Sequence, residues 1–402
     1  MEEWKSYKLS DVTYSIGDGI HGTPKYDENG SYFFINGNNL ENGKIIIRSI
    51  TKRVSEEEAQ KHRKKISERT ILVSINGTLG NTARYNYERC ILGKSACYLN
   101  VKEDIDIDFI YYVVTNQQFK DTINRLATGT TIKNVSLETM RNYEFFMPSL
   151  ENQKKISSIL KSIDDKIDIN RQINDNLEQQ AQALYKSWFV DFEPFKDGDF
   201  VESELGLIPE GWKVVELGEV TKQITEKVKN RTDVKVLSPV TTGELVLSEE
   251  YFTKQVFSES IAKYIVVKPL QFAYNPARVN IGSLGMNTFE FDGCVSPVYV
   301  VFECERDYQY FFDYFRKTEA FKEEVLARAI GGVRQSLSYK DFSLIKLIYP
   351  PRTIVEKFNR LYSNILVSIN HNKVEANNLT DMRDTLLPKL MSGELKINEI
   401  DC

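Results

Sequence analysis

The chain has 402 residues, with 52 Lys and Arg against 57 Asp and Glu, a formal net charge of −5. Hydrophobic residues at 41% and charged residues at 27% exclude wholesale disorder and allow two or more domains with separate cores. The mild acidity, taken alone, argues slightly against a nucleic-acid partner.

In chain order, the first 149 residues alternate short β-rich runs with Gly- and Asn-containing turns. Strands are expected at 32–35, 44–50, 70–75 and 96–101, where β-branched and aromatic residues are bounded by turn residues. A 3.6-residue period predicts a helix over 107–126. From Leu150 to about Trp188 there is no Gly or Pro, and apolar or seam positions alternate four and three apart. They are Ile156, Leu160, Ile163, Ile167, Asn170, Asn174, Leu177, Ala181, Leu184 and Trp188, a heptad pattern. Residues 191–205 hold six acids and one base and read as a linker. Strand 295–302 and helix 308–329 follow, then a second long helix. Its seam is Phe358, Tyr362, Ile365, Ile369, Asn372, Ala376, Leu379, Arg383, Leu386 and Leu390, and Pro388 is expected to break or kink it.

The second half repeats the first. Trp4, Lys5, Leu9 and Val12 recur as Trp212, Lys213, Leu217 and Val220. Gly80, Gly129, Ser136 and Pro148 recur as Gly282, Gly331, Ser338 and Pro350, and the seam positions keep that second offset. A domain-plus-helix unit written twice implies that the helices pair antiparallel, with Asn170 and Asn372 mid-seam fixing register. About 35 helical residues at roughly 1.5 Å each make a rod of roughly 50 Å. On DNA that is on the order of one and a half turns, the geometry of a ruler. The fold class expected is α+β: 1–149 a first mixed domain, 150–190 a long helix, 191–205 the acidic linker, 206–350 a second domain, and 351–402 the second helix and tail.

Catalytic motifs fail one by one. Gly17, Gly19 and Gly22 match GxGxxG, but loop residues follow where a dinucleotide fold needs a helix. Gly93-Lys94-Ser95 lacks the upstream Gly of a P-loop, Glu88 standing there. Asn275-Pro276-Ala277 lacks the second Pro and the aromatic of an amino-methyltransferase motif. His21, His62 and His371 have no carboxylate or Cys at ligand spacing, so no metal is expected. The cysteines Cys90, Cys97, Cys294, Cys304 and Cys402 are odd in number and form no CxxC pair. With no apolar leader or bilayer-length run, a reducing cytoplasm is expected.

Polar and basic loops remain. Arg, Asn and Gln can bond bidentately to base edges, and Lys clusters hold phosphates. The base-contact candidates are His21, Thr23, Lys25, Asn76, Thr78, Arg84, Thr130, Thr131, Lys133 and Asn134, then Arg278, Asn280, Arg334, Gln335 and Ser336. The phosphate candidates are Lys52, Arg53, Lys64, Lys227, Lys229 and Arg231.

Several stretches resemble the specificity subunit of type I restriction-modification enzymes. They are Trp4-Lys5 and Ile208-Pro209-Glu210-Gly211-Trp212-Lys213 at the domain starts, and residues 70–80 at mid-domain. Glu151-Asn152-Gln153 opens the first helix, Trp188-Phe189-Val190-Asp191-Phe192-Glu193-Pro194-Phe195 closes it, and residues 386–395 close the second. Arg352 and Thr353 where Gln is usual, and Arg383 in the seam, depart from the family pattern. The resemblance implies two target recognition domains, each reading half of a bipartite double-stranded DNA site, with helices that set the spacer and dock two modification subunits. It implies no cofactor in this chain. S-adenosylmethionine would sit on the modification subunits, and ATP and Mg on restriction subunits. Two other readings stay open: a catalytic DNA methyltransferase or nuclease, and a coiled-coil adaptor that does not bind DNA.

The charge count also localises. Removing the acidic segment leaves 51 bases and 51 acids, and the two domains are near neutral. Unaided DNA binding is then expected to be weak, with partner subunits supplying much of the clamp.

Overall fold

The computed structural model describes residues 4–252, 257–258, 260–328 and 336–395. The chain divides into two compact units, residues 1–172 with 372–402, and residues 173–371.

In the first unit the strands are β1 (Thr13–Gly17), β2 (Tyr32–Ile35), β3 (Thr70–Ser74), β4 (Thr82–Arg84), β5 (Cys90–Leu92) and β6 (Ala96–Val101). An antiparallel sheet has the order β1-β6-β3-β4. A second sheet pairs β2 with β5 in parallel and with Arg53–Val54 antiparallel. Strand β3 is buried along its whole length, so it reads as a continuous apolar run rather than an alternation. Lys5–Lys8 pairs with Glu144–Met147 and closes the domain near its ends.

The helix expected over 107–126 is two helices, α1 (Ile107–Thr115) and α2 (Gln117–Leu126). Asn116 divides them. Its backbone is extended, and its side chain accepts the Phe119 N–H at 2.7 Å, capping α2. The strand expected over 44–50 is confined to Lys44–Ile45; Ile46 N turns back to Asn39 O at 2.7 Å.

Helix α3 (Leu150–Phe189) runs unbroken through 40 residues. After it the acidic segment contains a 3-10 turn, Glu193–Phe195, and the strand Phe200–Ser203 of a hairpin with Gly206–Pro209. Aromatic packing holds it: Phe192 and Phe195 both lie edge-on to Trp212.

The second unit holds β7 (Thr221–Ile224), β8 (Lys235–Pro239), β9 (Phe272–Tyr274), β10 (Leu284–Met286), β11 (Gly293–Val295) and β12 (Val300–Cys304). One sheet has the order β7-β12-β9-β10; another joins β8 and β11 in parallel, flanked by Leu245–Leu247 and Ile265–Val267. The strand expected over 295–302 is therefore two. Pro297 cannot donate to a ladder, and Tyr299 N closes a turn onto Ser296 O at 3.0 Å. The helix expected over 308–329 is likewise split into α4 (Gln309–Phe315) and α5 (Glu319–Arg328).

Helix α6 (Arg352–Ser392) continues through Pro388, so the helix is not broken there. Pro388 forfeits one backbone hydrogen bond, but Leu387, Leu390 and Met391 are buried against Ile156 and Leu160 of α3. That packing carries the last turn. Within the first unit the C-terminal part of α6 faces the N-terminal part of α3: Arg383 reaches Asp164, and Asn170 reaches Glu375. Within the second unit Asn174 Nδ2 donates to Ile369 O at 3.2 Å, and Phe358 packs on Phe189. In each unit the two helices run antiparallel.

Candidate nucleic-acid interface

In the first unit β3 ends at Ser74, whose hydroxyl donates to Thr78 O at 2.6 Å and accepts the Asn81 N–H at 2.9 Å. Gly77 and Gly80 take positive φ there, which lets the chain reverse tightly. A second loop crosses this one. Val135 N donates to Ile75 O at 2.8 Å, Gly77 N to Lys133 O at 2.9 Å, and Asn76 Nδ2 to Asn134 Oδ1 at 3.0 Å. Thr128 and Asn134 exchange backbone hydrogen bonds, pinching 128–134 into a tip. Gly129 sits at its tightest point, where a Cβ would lie 2.3 Å from Ile132 O. Thr78, Thr130, Thr131, Lys133 and Asn134 are exposed on the joined loops, and Asn76 is half-buried.

His21, Thr23 and Lys25 lie on an exposed segment tied to the same side. Lys94 N donates to Ile20 O at 3.0 Å, and Ile75 N to Ser95 O at 3.0 Å, so one run of backbone bonds links the three loops. Contrary to expectation, two histidines do face a carboxylate: His21 meets Asp18 at 2.9 Å and His62 meets Glu58 at 3.4 Å. Each is a single surface pair, and no group of three or more His, Cys, Asp or Glu that could hold a metal occurs among the described residues.

Arg84 stands apart from these loops. It pairs with Ile71 at the other end of β3, forms an ion pair with Asp108, and lies 4.7 Å over the Tyr111 ring. It ties sheet to helix. Among the phosphate candidates, Lys52 and Arg53 are exposed over the rings of Tyr26 and Phe33, at 5.9 and 4.7 Å, and Lys64 is half-buried.

The second unit makes a similar crossing. Leu337 N donates to Pro276 O at 3.1 Å, and Tyr274 Oη to Leu337 O at 3.2 Å. Ser336 is thereby brought beside the turn carrying Arg278 and Asn280; Gly282, with positive φ, ends that turn. Arg334 and Gln335 lie outside the described residues. Lys227 and Lys229 are exposed. Arg231 is not a free cation. Its guanidinium donates to Asp233 at 2.9 and 2.6 Å and to Asp292 at 2.8 Å. Those bonds raise its pKa and hold the Asp233 carboxyl below its ordinary value.

Sequence reasoning missed Asn36, Ser95 and Tyr299, which line the loop bases; their partners are distant in sequence and no local pattern marks them. No helix among the described residues is long and apolar enough to cross a membrane.

A mixed helix-and-sheet chain, with loops gathered at strand ends and two long helices, matches the fold of a solved type I restriction-modification S subunit from M. genitalium. That match has a TM-score of 0.57 at 18% identity and covers 97% of this chain and 96% of the other. Residues 1–179 match the family model for the type I restriction modification DNA specificity domain. The MjaIX specificity subunit of Methanocaldococcus jannaschii is 25% identical over 99% of this chain and 95% of its own length. The HindI specificity subunit of Haemophilus influenzae is 22% identical over 98% and 100%.

Proposed function

We propose that this chain is the DNA-recognition subunit of a type I restriction-modification complex, each unit reading one half of a bipartite site. The supporting observation is the loop crossing, Ile75 to Val135 in one unit and Pro276 to Leu337 in the other, at matching points of one strand order. Such a crossing fixes exposed Asn, Thr, Lys and Arg side chains on a rigid base, which base-edge readout requires. The matching topologies, with the sequence repeat, support an internal duplication. The helix contacts within each unit support an antiparallel coiled coil.

On this reading the chain is non-catalytic. The helices set the spacer between half-sites and dock two modification subunits that carry S-adenosylmethionine, while restriction subunits supply ATP- and Mg-dependent steps. The test is to map methylated adenines in a host carrying the complex, before and after exchanging residues 128–134. One half of the motif should change and the other stay fixed. A motif that changes in both halves, or in neither, would refute the assignment of one half-site per unit. Removing one heptad from both helices should alter the spacer alone.

A further inference from the structure

The two units treat one place in their topology differently. In the first, the parallel pair β2–β5 leads to Asn36 and Gly37, and the space beyond is filled. Ser95 Oγ donates to Asn36 Oδ1 at 2.9 Å and accepts the Gly37 N–H at 2.9 Å. A Cβ on Gly93 would fall 2.2 Å from Asn36 Oδ1, so these two residues are in close contact.

In the second unit, the parallel pair β8–β11 leads to Ser238 and Pro239, and a cavity of about 360 Å³ opens there. Ser238, Thr241, Tyr264, Asn275, Arg278 and Tyr299 contribute to its wall. Pockets for small ligands begin at about 300 Å³, so the space suits one nucleotide. Tyr264 is nearly buried, and its hydroxyl accepts the Ser258 N–H at 3.2 Å, which fixes its ring in the wall. Asn275 is held in place because its Oδ1 accepts the Ala277 N–H at 3.1 Å. Tyr299 lies beside both Asn275 and Arg278: burial raises its phenol's pKa, and these two neighbours work against that rise. Arg278 is exposed, and no ion pair to it is found among the described residues.

Aromatic rings, a fixed amide, hydroxyls and an unneutralised guanidinium form the donor set for a base with its phosphate. We propose that the second unit takes up one extruded nucleotide of the bound DNA in this cavity, with Arg278 on the phosphate and Asn275, Tyr264 and Tyr299 around the base. The inference rests on the DNA-recognition reading above. It gives Asn275, which begins a failed methyltransferase motif, a binding role in place of a catalytic one. It also favours extrusion in the half-site of the second unit, because Asn36 and Ser95 bond to each other at the corresponding place in the first.

The test uses the full chain assembled with its modification subunits and a duplex carrying the mapped site. 2-Aminopurine replaces one base at a time in both half-sites, leaving out the methylated adenines. Unstacking brightens the probe. Fluorescence should rise severalfold at one position of one half-site, and Arg278→Ala and Tyr299→Leu should each abolish that rise while the melting temperature holds. Arg278 is exposed, so its variant keeps the test valid if the Tyr299 variant unfolds. A wild-type complex that methylates the duplex but brightens no position overturns the inference, as does a rise that survives Arg278→Ala. A wild-type complex with no site-specific methylation overturns the DNA-recognition reading itself.

Discussion

Arg383 of α6 donates from Nη1 to Asp164 Oδ1 of α3 at 2.7 Å, while Tyr112 of α1 donates to the other oxygen of the same carboxylate at 2.7 Å. One carboxylate thus joins a domain helix to both long helices of the first unit. Burial works against the charge of Arg383, but Asp164 and Asp384 outweigh it and raise its pKa. Burial and the neighbouring Asp164 likewise push the Tyr112 phenol up, so it stays a donor. Within the seam, Arg383 is therefore a connector.

Asp164→Ala strands two donors, whereas Arg383→Leu removes one and restores an apolar seam position. The alanine variant should lose about 2–3 kcal/mol in the first unit, and the leucine variant less. A double-mutant cycle on the full chain should give a coupling of about 1–2 kcal/mol. Hydrogen exchange of α3 amides provides the readout, because a chain of two units need not unfold in one step. Additive single effects would remove the connector role.

Asn170 is 1% exposed and donates to Glu375 Oε2 at 2.7 Å. Glu375 also has Lys166 at 3.5 Å, so it stays paired if Asn170 is replaced. A hydrogen bond to a charged acceptor contributes about 1.5–3 kcal/mol, and a buried leucine about the same. Asn170→Leu should therefore leave local exchange protection nearly unchanged, while Asn170→Ala, losing both terms, should lower it by about 2 kcal/mol. Equal losses in the two variants would mean that the amide specifically, not the filled volume, holds this point of the seam.

Asn170 was legible because heptad spacing is local, and so were Tyr32–Ile35 and Ala96–Val101. The ends of the seam were not. Leu184 and Trp188 are only half-buried, and Tyr185 and Phe189, one position on, are the buried pair. A straight helix drifts from a 3.5-residue repeat, and there Phe311 and Trp212 pull the aromatic face into the domain core. Leu387 replaces Leu386 as the buried residue at the other helix end for the same reason. The loop crossing was hidden because Asn76 and Asn134 lie 58 residues apart. Charge clustering misled at Arg231, whose neutralising Asp292 is 61 positions away.

That neutralisation makes a contrast within the basic clusters. Lys52 is exposed and free to meet a phosphate, so Lys52→Ala in the assembled complex should reduce the salt slope of DNA binding by about 1 without changing sequence preference. Arg231→Ala should leave the slope unchanged, since its charge is already spent on Asp233 and Asp292. Asn76→Ala, which removes the side-chain bond between the two loops and leaves their backbone bonds, should cost about 1–3 kcal/mol of discrimination at one base pair. Binding titrated against KCl, with cognate and singly altered duplexes, separates the three. A salt slope lowered by Arg231→Ala would place that residue on the phosphates.

Asp313 in α4 tests the second unit through pH. It is 7% exposed, accepts from Arg316 at 2.9 and 2.6 Å, and lies 2.9 Å from Lys317. Burial alone would push its carboxyl up, but Arg316 and Lys317 outweigh burial and hold it below its ordinary value. Arg316 is pinned in turn, donating from Nη1 to Leu284 O at 2.9 Å. A depressed carboxyl adds stability that is present above the unfolded value, about pH 4, and fades as pH falls through the lower folded value. Asp313→Asn keeps the shape but leaves a buried guanidinium uncompensated, so it should cost about 3–5 kcal/mol at pH 7. The gap between wild type and variant should shrink on acidification below about pH 4, because only the wild type has this carboxylate to protonate. Thermal melts of both proteins across that range measure it, with shifts common to the two cancelling in the difference. A gap that stays constant down to pH 3 would show that the loss at pH 7 comes from packing around the amide and not from the ion pair.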